Sequence, residues 1–386
     1  MNNSIKLLIK KIIFFIDSKT IKTRFFFDGE YLRWKEFNEN RKSIVDAVNN
    51  KTGKEQKIYY LVPGVKISGG IAVIFQHANR LKKRGYNVKI LSLTNKNDAI
   101  WFPNQKVEIL PFNKTKEILK SGEIDILIAT AFSTAFTVDM AQARRKIYFV
   151  QSDESRFFSD NNELCKIIKK TYSLPLEYMT EALWIQKWLK NDCGKESYYV
   201  PNGLDENLFY KTKPLIAKTE KPRILLEGSI NVLFKGMEDA YNAVKDLDCE
   251  LWIVSNNGKP KSDWKYDKFF ENVPYGEMAK IYSSCDIFLK MSRIEGFFGP
   301  PMEAMACGSA VVVGKVTGYD EYIVNGENAL VVEQGDVDEA KKAIQQLIND
   351  GELKNKLIEG GYETVKKWSW EKSIDLLEKV INKEMF

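Results

Sequence analysis

A chain of 386 residues, 44% hydrophobic and 28% charged, is long for a single core and suits two domains of ordinary size; it leaves little room for long disordered tracts. The net charge of +6 is modest and no stripe of basic and aromatic residues runs through the sequence, so nucleic acid is not an expected partner. Cys165, Cys193, Cys249, Cys285 and Cys307 lie far apart with no Cys-x-x-Cys pair, and only His77 could join them, which argues against a zinc site or a disulfide framework.

In chain order, the positive excess is concentrated at the start, where Lys6, Lys10, Lys11, Lys19, Lys22 and Arg24 face only Asp17. Ile5, Leu7, Leu8, Ile9, Ile12, Ile13, Phe14, Phe15 and Ile16 lie between those charges. The stretch is too short and too lysine-rich to span a bilayer, and no small-residue cleavage site follows it. It reads either as an interfacial helix on an anionic membrane surface or as a helix docked on the body of the protein. With the Phe25-Phe26-Phe27 cluster, residues 1–56 form an expected helical extension.

From residue 57 strands and helices alternate. Lys57 to Val62 is a buried-strand candidate, Gly69-Gly70 opens a helix through about Arg84, and Asn87 to Ser92 is the next strand, which begins a parallel βαβ pattern. Ile124 to Ala129 and Lys146 to Val150 continue that sheet. A second cycle runs through Arg223 to Glu227, Glu250 to Val254, Ile287 to Leu289 and Ala310 to Val313, so two doubly wound units are expected. Turn residues at Pro201-Asn202-Gly203-Leu204-Asp205 mark the join. His77 falls inside the first helix, away from a strand end, and reads as structural.

The densest functional signal is the run from Glu295 to Gly308, EGFFGPPMEAMACG, where two carboxylates stand eight positions apart across a Gly/Pro turn leading into a small-residue helix. Backbone N–H groups at such a helix opening favour an anion, while two acids beside it need neutral hydroxyl donors. The pattern points to a phosphorylated sugar. Gly69-Gly70 could likewise bring N–H groups near a phosphate, although a plain turn explains a glycine pair as well.

The Glu295 to Gly308 string resembles the Glu-x7-Glu element of retaining glycosyltransferase family 4, with Gly296, Phe297, Pro300, Glu303, Ala304, Met305 and Gly308 in register. The family usually has Gly-Phe-Gly-Leu-Pro where this chain has Gly296-Phe297-Phe298-Gly299-Pro300, a glycine moved by one place. Residues 201–205 resemble the same family's Pro-Asn-Gly-Val-Asp, and Phe149 to Glu154 is similar to a Phe-Val-Gln-Asp-x-Glu string in a subgroup that includes bacterial rhamnosyltransferases. The resemblance implies an α/β GT-B fold: two doubly wound Rossmann-like domains facing a cleft, here with an N-terminal helical extension. The expected division is 1–56 extension, 57–205 acceptor-side domain, 206–366 nucleotide-sugar domain, and 367–386 a helix crossing back to the first domain.

By that resemblance Glu303 accepts hydrogen bonds from the ribose and Glu295 from the transferred sugar. Gly69, Gly70, Gly296, Phe297, Phe298 and Gly299 line the donor, and Lys235 neutralises the diphosphate. Ser229 stands where the family carries arginine, so one cation is missing; Arg293 or a lysine of the first domain could replace it. Tyr275 lies in the base-binding region, with packing as its alternative role. The histidine that many relatives carry in the loop after Ile124 to Ala129 is absent, which leaves Asp153 and Glu154 as candidates for holding the acceptor hydroxyl or acting as base, against a capping role for each. Asp246-Leu247-Asp248 and Asp336-Val337-Asp338 read as helix-end caps, and neither metal nor cofactor is expected.

The implied activity is transfer of a sugar from a nucleoside-diphosphate sugar to a hydroxyl of a glycan or lipid-linked glycan, with retention and in a cytoplasmic setting, peripheral on the membrane if residues 1–24 contact lipid. The rivals are a degenerate GT-B subunit that binds nucleotide sugar or glycan for an active partner, and a change of reaction to that of a sugar-nucleotide epimerase or phosphorylase.

Overall fold

A computed structural model describes residues 53–95 and 98–384. The expected extension, including its 1–24 segment and the phenylalanine cluster, lies outside these residues up to 52; Gly53–Glu55 is a short 3-10 turn. The chain divides into two compact units. Unit 1 takes in the described residues up to Ile100, Asn104–Pro201 and those from Ile374 on, while unit 2 comprises Trp101–Pro103 and Asn202–Ser373.

Unit 1 is built from β1 (Lys57–Val62), α1 (Gly69–Lys83), β2 (Asn87–Ser92), β3 (Ile109–Leu110), α2 (Phe112–Ser121), β4 (Ile126–Ala129), α3 (Phe132–Met140), β5 (Arg145–Val150), α4 (Asn162–Thr171), β6 (Glu177–Thr180), α5 (Leu183–Cys193) and β7 (Tyr198–Tyr199). Its strands pair in parallel in the order β3-β2-β1-β4-β5-β6-β7. Unit 2 continues with β8 (Arg223–Glu227), α6 (Met237–Val244), β9 (Glu250–Ser255), β10 (Lys268–Glu271), α7 (Met278–Ser284), β11 (Ile287–Lys290), α8 (Gly299–Ala306), β12 (Ala310–Gly314), β13 (Leu330–Val332), α9 (Val337–Asn349) and α10 (Gly351–Val365). Its parallel order is β10-β9-β8-β11-β12-β13. The last helix, α11 (Trp370–Asn382), starts in unit 2 and ends in unit 1.

Each sheet therefore reverses its winding once, between β1 and β4 and between β8 and β11. At such switch points the connections after the two strands diverge and leave room for a ligand beyond their carboxyl ends. Apolar side chains of unit 2 alternate between two cores, as a sheet covered on both faces requires. Ile224, Leu226, Leu251, Ile253, Ile287, Leu289, Ala310 and Val312 enter one. Leu225, Trp252, Val254, Phe288, Val311 and Val313 enter the other.

The two units share a device at the opposite strand ends. Asp125, just before β4, accepts the N–H of Lys57 at 2.8 Å, and Asp286, just before β11, accepts that of Arg223 at 2.9 Å. Each carboxylate satisfies a first-strand donor that the parallel ladder leaves open. Arg223 is buried and lies 4.3 Å over the Trp252 ring; it pairs with Glu250 at 2.7 Å and donates to the carbonyls of Ile216, Ala217 and Ser284. In unit 1 buried Arg145 pairs with Glu177 at 2.5 Å and donates to the carbonyls of Val380 and Ile381 at 3.0 and 2.7 Å. It thereby holds the last turn of α11, whose carbonyls lack intrahelical partners. His77 is fully buried in α1 with its ring 5.2 Å from that of Phe149, and burial draws its pKa down to about 3, so it is neutral and structural.

Candidate functional site

The connections after β8 and β11 hold most of the predicted donor residues. Lys235 ends a short 3-10 turn, Leu233–Lys235, and Gly236 follows with φ +61°, in the left-handed region. A Cβ at Gly236 would stand 1.9 Å from the Met291 carbonyl oxygen, so only glycine lets the first loop lie on the second. The Arg293 N–H donates to the Phe234 carbonyl at 2.7 Å and joins the loops again.

This seating brings the Lys235 ammonium to both oxygens of Glu295, at 2.9 and 2.8 Å. Glu295 is 8% exposed. Burial alone would raise its pKa, but the charges of Lys235 and Lys290 outweigh burial and hold the carboxyl below the usual range. Glu295 is therefore an ionised, buried acceptor.

Glu303, on α8, is held differently. Its two oxygens accept from the phenols of Tyr275 at 2.9 Å and Tyr282 at 3.3 Å, while burial, reinforced by the charge of Glu227, pushes its pKa up to about 7. Tyr275 also packs edge-on against Phe209 at 5.0 Å, so it makes the packing contact that was its alternative role.

The helix opening differs from the sequence expectation. The first three residues of α8 are Gly299, Pro300 and Pro301; the prolines carry no N–H, and the Gly299 N–H donates to the Phe297 carbonyl at 3.0 Å. The opening of α8 thus offers few free N–H donors. Phe298 is buried and its carbonyl accepts from Tyr322; the Phe297 ring stacks on that tyrosine at 5.7 Å and leans on Trp368 at 5.5 Å. A Cβ at Gly299 would meet nothing within 4 Å. Gly296 is half-buried in the same loop.

Ser229 hydrogen-bonds Asn256, and the Arg293 guanidinium pairs with Asp239 at 2.5 Å and reaches the Leu233 carbonyl at 3.5 Å. Both side chains are thus engaged within unit 2. Asp336 does cap α9, accepting from the Glu339 N–H at 2.8 Å, but Asp246 and Asp248 are not caps: they pair with Lys341 and Lys221.

In unit 1 the predicted residues lie at the ends of β1, β4 and β5. A Cβ at Gly70 would come 3.0 Å from Gln151 Oε1, whereas one at Gly69 would meet nothing within 4 Å. The Gln151 amide donates to the Thr130 carbonyl at 3.2 Å. Asp153 accepts from Ser155, from its N–H at 3.1 Å and its hydroxyl at 2.6 Å. Buried Glu154 accepts the Phe132 N–H at 2.8 Å, at the first residue of α3, and lies 3.5 Å from the Tyr148 hydroxyl. Burial pushes its pKa up to about 8. Both acids thus make the capping contacts that were their alternative role.

Sequence reasoning missed Tyr282, Glu227 and Lys290. The last two were visible as charged residues ending otherwise apolar strands at the switch point, Ile224-Leu225-Leu226-Glu227 and Ile287-Phe288-Leu289-Lys290.

The run from β10 to α10, which holds both acids, is also what comparison recognises. Residues 267–364 match the family of glycosyl transferases group 1. An uncharacterized glycosyltransferase of Methanocaldococcus jannaschii is 30% identical over 200 residues, 48% of this chain and 57% of that protein. The capsular polysaccharide biosynthesis glycosyltransferase CapM of Staphylococcus aureus is 32% identical over 181 residues, 46% of each chain. The chain thus spans about half the length of these relatives. Among solved structures, Anabaena HepE in complex with UDP-glucose aligns with a TM-score of 0.70 at 15% identity, covering 85% of this chain and 100% of that one. The chain has the GT-B fold and carries a group 1 glycosyl transferase segment in unit 2.

Proposed function

We propose that the chain is a glycosyltransferase that moves a hexosyl or deoxyhexosyl unit from a nucleoside-diphosphate sugar to a hydroxyl of a glycan or lipid-linked glycan, with retention and without a metal. The observation that carries this reading is the ionised, lysine-held Glu295 at the switch point of unit 2, within the segment matched to group 1 glycosyl transferases. HepE, which shares the fold, binds UDP-glucose, and CapM takes part in capsular polysaccharide synthesis; both support the choice of substrates.

On this reading Glu303, oriented by Tyr275 and Tyr282, accepts from the ribose hydroxyls, and Glu295 accepts from hydroxyls of the sugar. Lys235 turns from Glu295 to the diphosphate and stabilises the charge that grows on it as the bond to the anomeric carbon breaks. Gly296 to Gly299 line the donor, and Gly299, with open space at its Cβ position, allows close approach. The acceptor oxygen forms the new bond on the face the diphosphate leaves, and its proton passes to a phosphate oxygen. Gly69 and Gly70 belong to the donor side, and the acceptor is assigned to the strand end of unit 1 that carries Asp153 and Glu154.

A thermal-shift screen of nucleotide sugars tests this first, because a ligand that binds only the folded state raises the apparent Tm with its concentration. A broad panel with no shift overturns the reading. Product NMR on the sugar that does shift Tm reads the anomeric configuration, and unchanged turnover in EDTA is expected. Binding without turnover would favour the degenerate subunit. Among the described residues no helix is long and apolar enough to cross a membrane. Co-sedimentation with anionic vesicles, with and without residues 1–24, separates the two roles of that segment.

A further inference from the structure

Trp101, Phe102 and Pro103 fall in sequence between β2 and β3, yet they belong to unit 2, while the residues on either side of them belong to unit 1. Their contacts show where the tripeptide is seated. The Trp101 carbonyl accepts the Tyr275 N–H at 3.1 Å, and the Phe102 ring stacks on the Tyr275 ring at 5.6 Å with 12° between the planes. A Cβ at Gly276 would stand 3.5 Å from Pro103, an ordinary packing distance. Phe102 is 4% exposed, and the Trp101 ring meets it edge-on at 5.7 Å.

The two phenols that donate to Glu303 are supported differently. Tyr282 lies on α7, is buried, and has the rings of Phe288 and Phe209 at 5.6 and 6.3 Å. Tyr275 lies on a short 3-10 turn, Tyr275–Glu277, is half-buried, and meets Phe209 edge-on. An edge contact lets a ring tilt, whereas a stacked neighbour fixes its plane. The plane matters because the phenol oxygen moves with the ring, and its 2.9 Å bond to Glu303 weakens steeply once the geometry is lost.

We propose that Phe102 is a positioning residue of the nucleotide site: stacked on Tyr275, it sets the ring plane from which the phenol donates to Glu303. This rests on the nucleotide-sugar reading above, in which Glu303 accepts from ribose. The Trp101 carbonyl holds the main chain of Tyr275 and the Phe102 ring holds its side chain. A tripeptide more than 150 residues before either tyrosine therefore completes the setting of one carboxylate.

A double-mutant cycle on the full chain tests this. Phe102→Leu loses the stacked ring but keeps apolar bulk, an exchange that cores commonly accept, and Tyr275→Phe keeps the ring but loses the phenol. With UDP as probe, Phe102→Leu alone is expected to weaken affinity about three- to tenfold, and to have no further effect in the Tyr275→Phe background. Plain packing acts with or without the hydroxyl, so equal losses in both backgrounds, or no loss in the first, overturn the proposal. A second readout needs no nucleotide. Phenol donation from Tyr275 and Tyr282 and the charge of Lys290 favour the ionised Glu303 carboxyl, against burial and the charge of Glu227. In a carbon-13 NMR titration of the chain labelled at glutamate carboxyls, with Glu303 assigned from Glu303→Gln, the Glu303 midpoint should rise in Phe102→Leu. The same change should not move it once Tyr275→Phe has removed the phenol. An unmoved midpoint in the single variant overturns the proposal and leaves the proposed activity standing. A moved midpoint with no UDP binding removes the nucleotide reading and leaves the hold of Phe102 on Tyr275 and Glu303 intact.

Discussion

Glu154 and Glu295 are each 8% exposed, and both follow the carboxyl end of a strand in a parallel sheet, yet they end in opposite charge states. Glu295 is paired with Lys235, and the charges of Lys235 and Lys290 hold it below the usual carboxylate range. Glu154 receives a backbone N–H and lies near a phenol, and its pKa rises to about 8. Burial is common to both, so the partner decides. A neutral carboxyl that caps a helix suits a scaffold, and an anion held by cations suits a polar ligand that can take one of them away. The strand ends of unit 1 and unit 2 are thus alike in topology and different in chemistry.

The largest expected effect breaks the unit 2 side. Lys235→Ala should slow turnover of whichever nucleotide sugar shifts Tm by about 100- to 1,000-fold, the usual cost of losing one preorganised charge-stabilising donor, and should also lower Tm without ligand, because buried Glu295 loses its ion pair. Equal loss from a distant surface lysine such as Lys114 would dissolve the contrast.

Glu303→Ala comes next. Loss of a carboxylate that accepts from ribose should weaken nucleotide binding about 10- to 100-fold, equivalent to about 1.5–3 kcal/mol. Calorimetric titration with UDP and with the nucleotide-sugar panel measures it, and unchanged affinity would move the ribose elsewhere.

Glu154→Gln sharpens the unit 1 side. Between the ordinary glutamate value and about 8, the folded chain keeps a proton that the unfolded chain has released, so the contribution of Glu154 to stability falls as pH rises through that window and levels off above it. Glutamine keeps an oxygen for the Phe132 N–H and cannot ionise. The variant should therefore remove a loss of about 2–3 kcal/mol between pH 5 and 7, read from urea unfolding at the two pH values. An unchanged slope would mean that Glu154 is already ionised.

The smallest effect concerns the glycine pair. Gly69→Ala should be neutral because its Cβ position is open, whereas Gly70→Ala must push the Gln151 amide aside and should cost less than about 1 kcal/mol. Chemical denaturation resolves the pair, and a reversed order would show that Gln151 does not rest on the loop.

The long strands were readable from composition alone. Every residue expected in β1, β2 and β8 lies in the observed strand, and the observed β9, β11 and β12 run one residue further. The short strands β3, β6, β7, β10 and β13, all but β6 at sheet edges, escaped notice, since two to four residues carry no usable period and their pairing comes from the sheet they join. At the site, the spacing of Glu295 and Glu303 stood out, but their different partners did not. Tyr275, Tyr282 and Glu303 meet only through the fold. The prolines at 300 and 301 were in plain view and already excluded most N–H donation by α8, a deduction masked by the general appeal of helix openings to anions.

Arg145 fixes the last turn of α11, so a sheet begun at residue 57 is finished by carbonyls at 380 and 381. During synthesis, every strand of unit 2 leaves the ribosome before that final piece of unit 1. The usual rule that the amino-terminal half of a nascent protein matures first is then inverted: unit 1 waits, incomplete, until the residues that follow unit 2 are made.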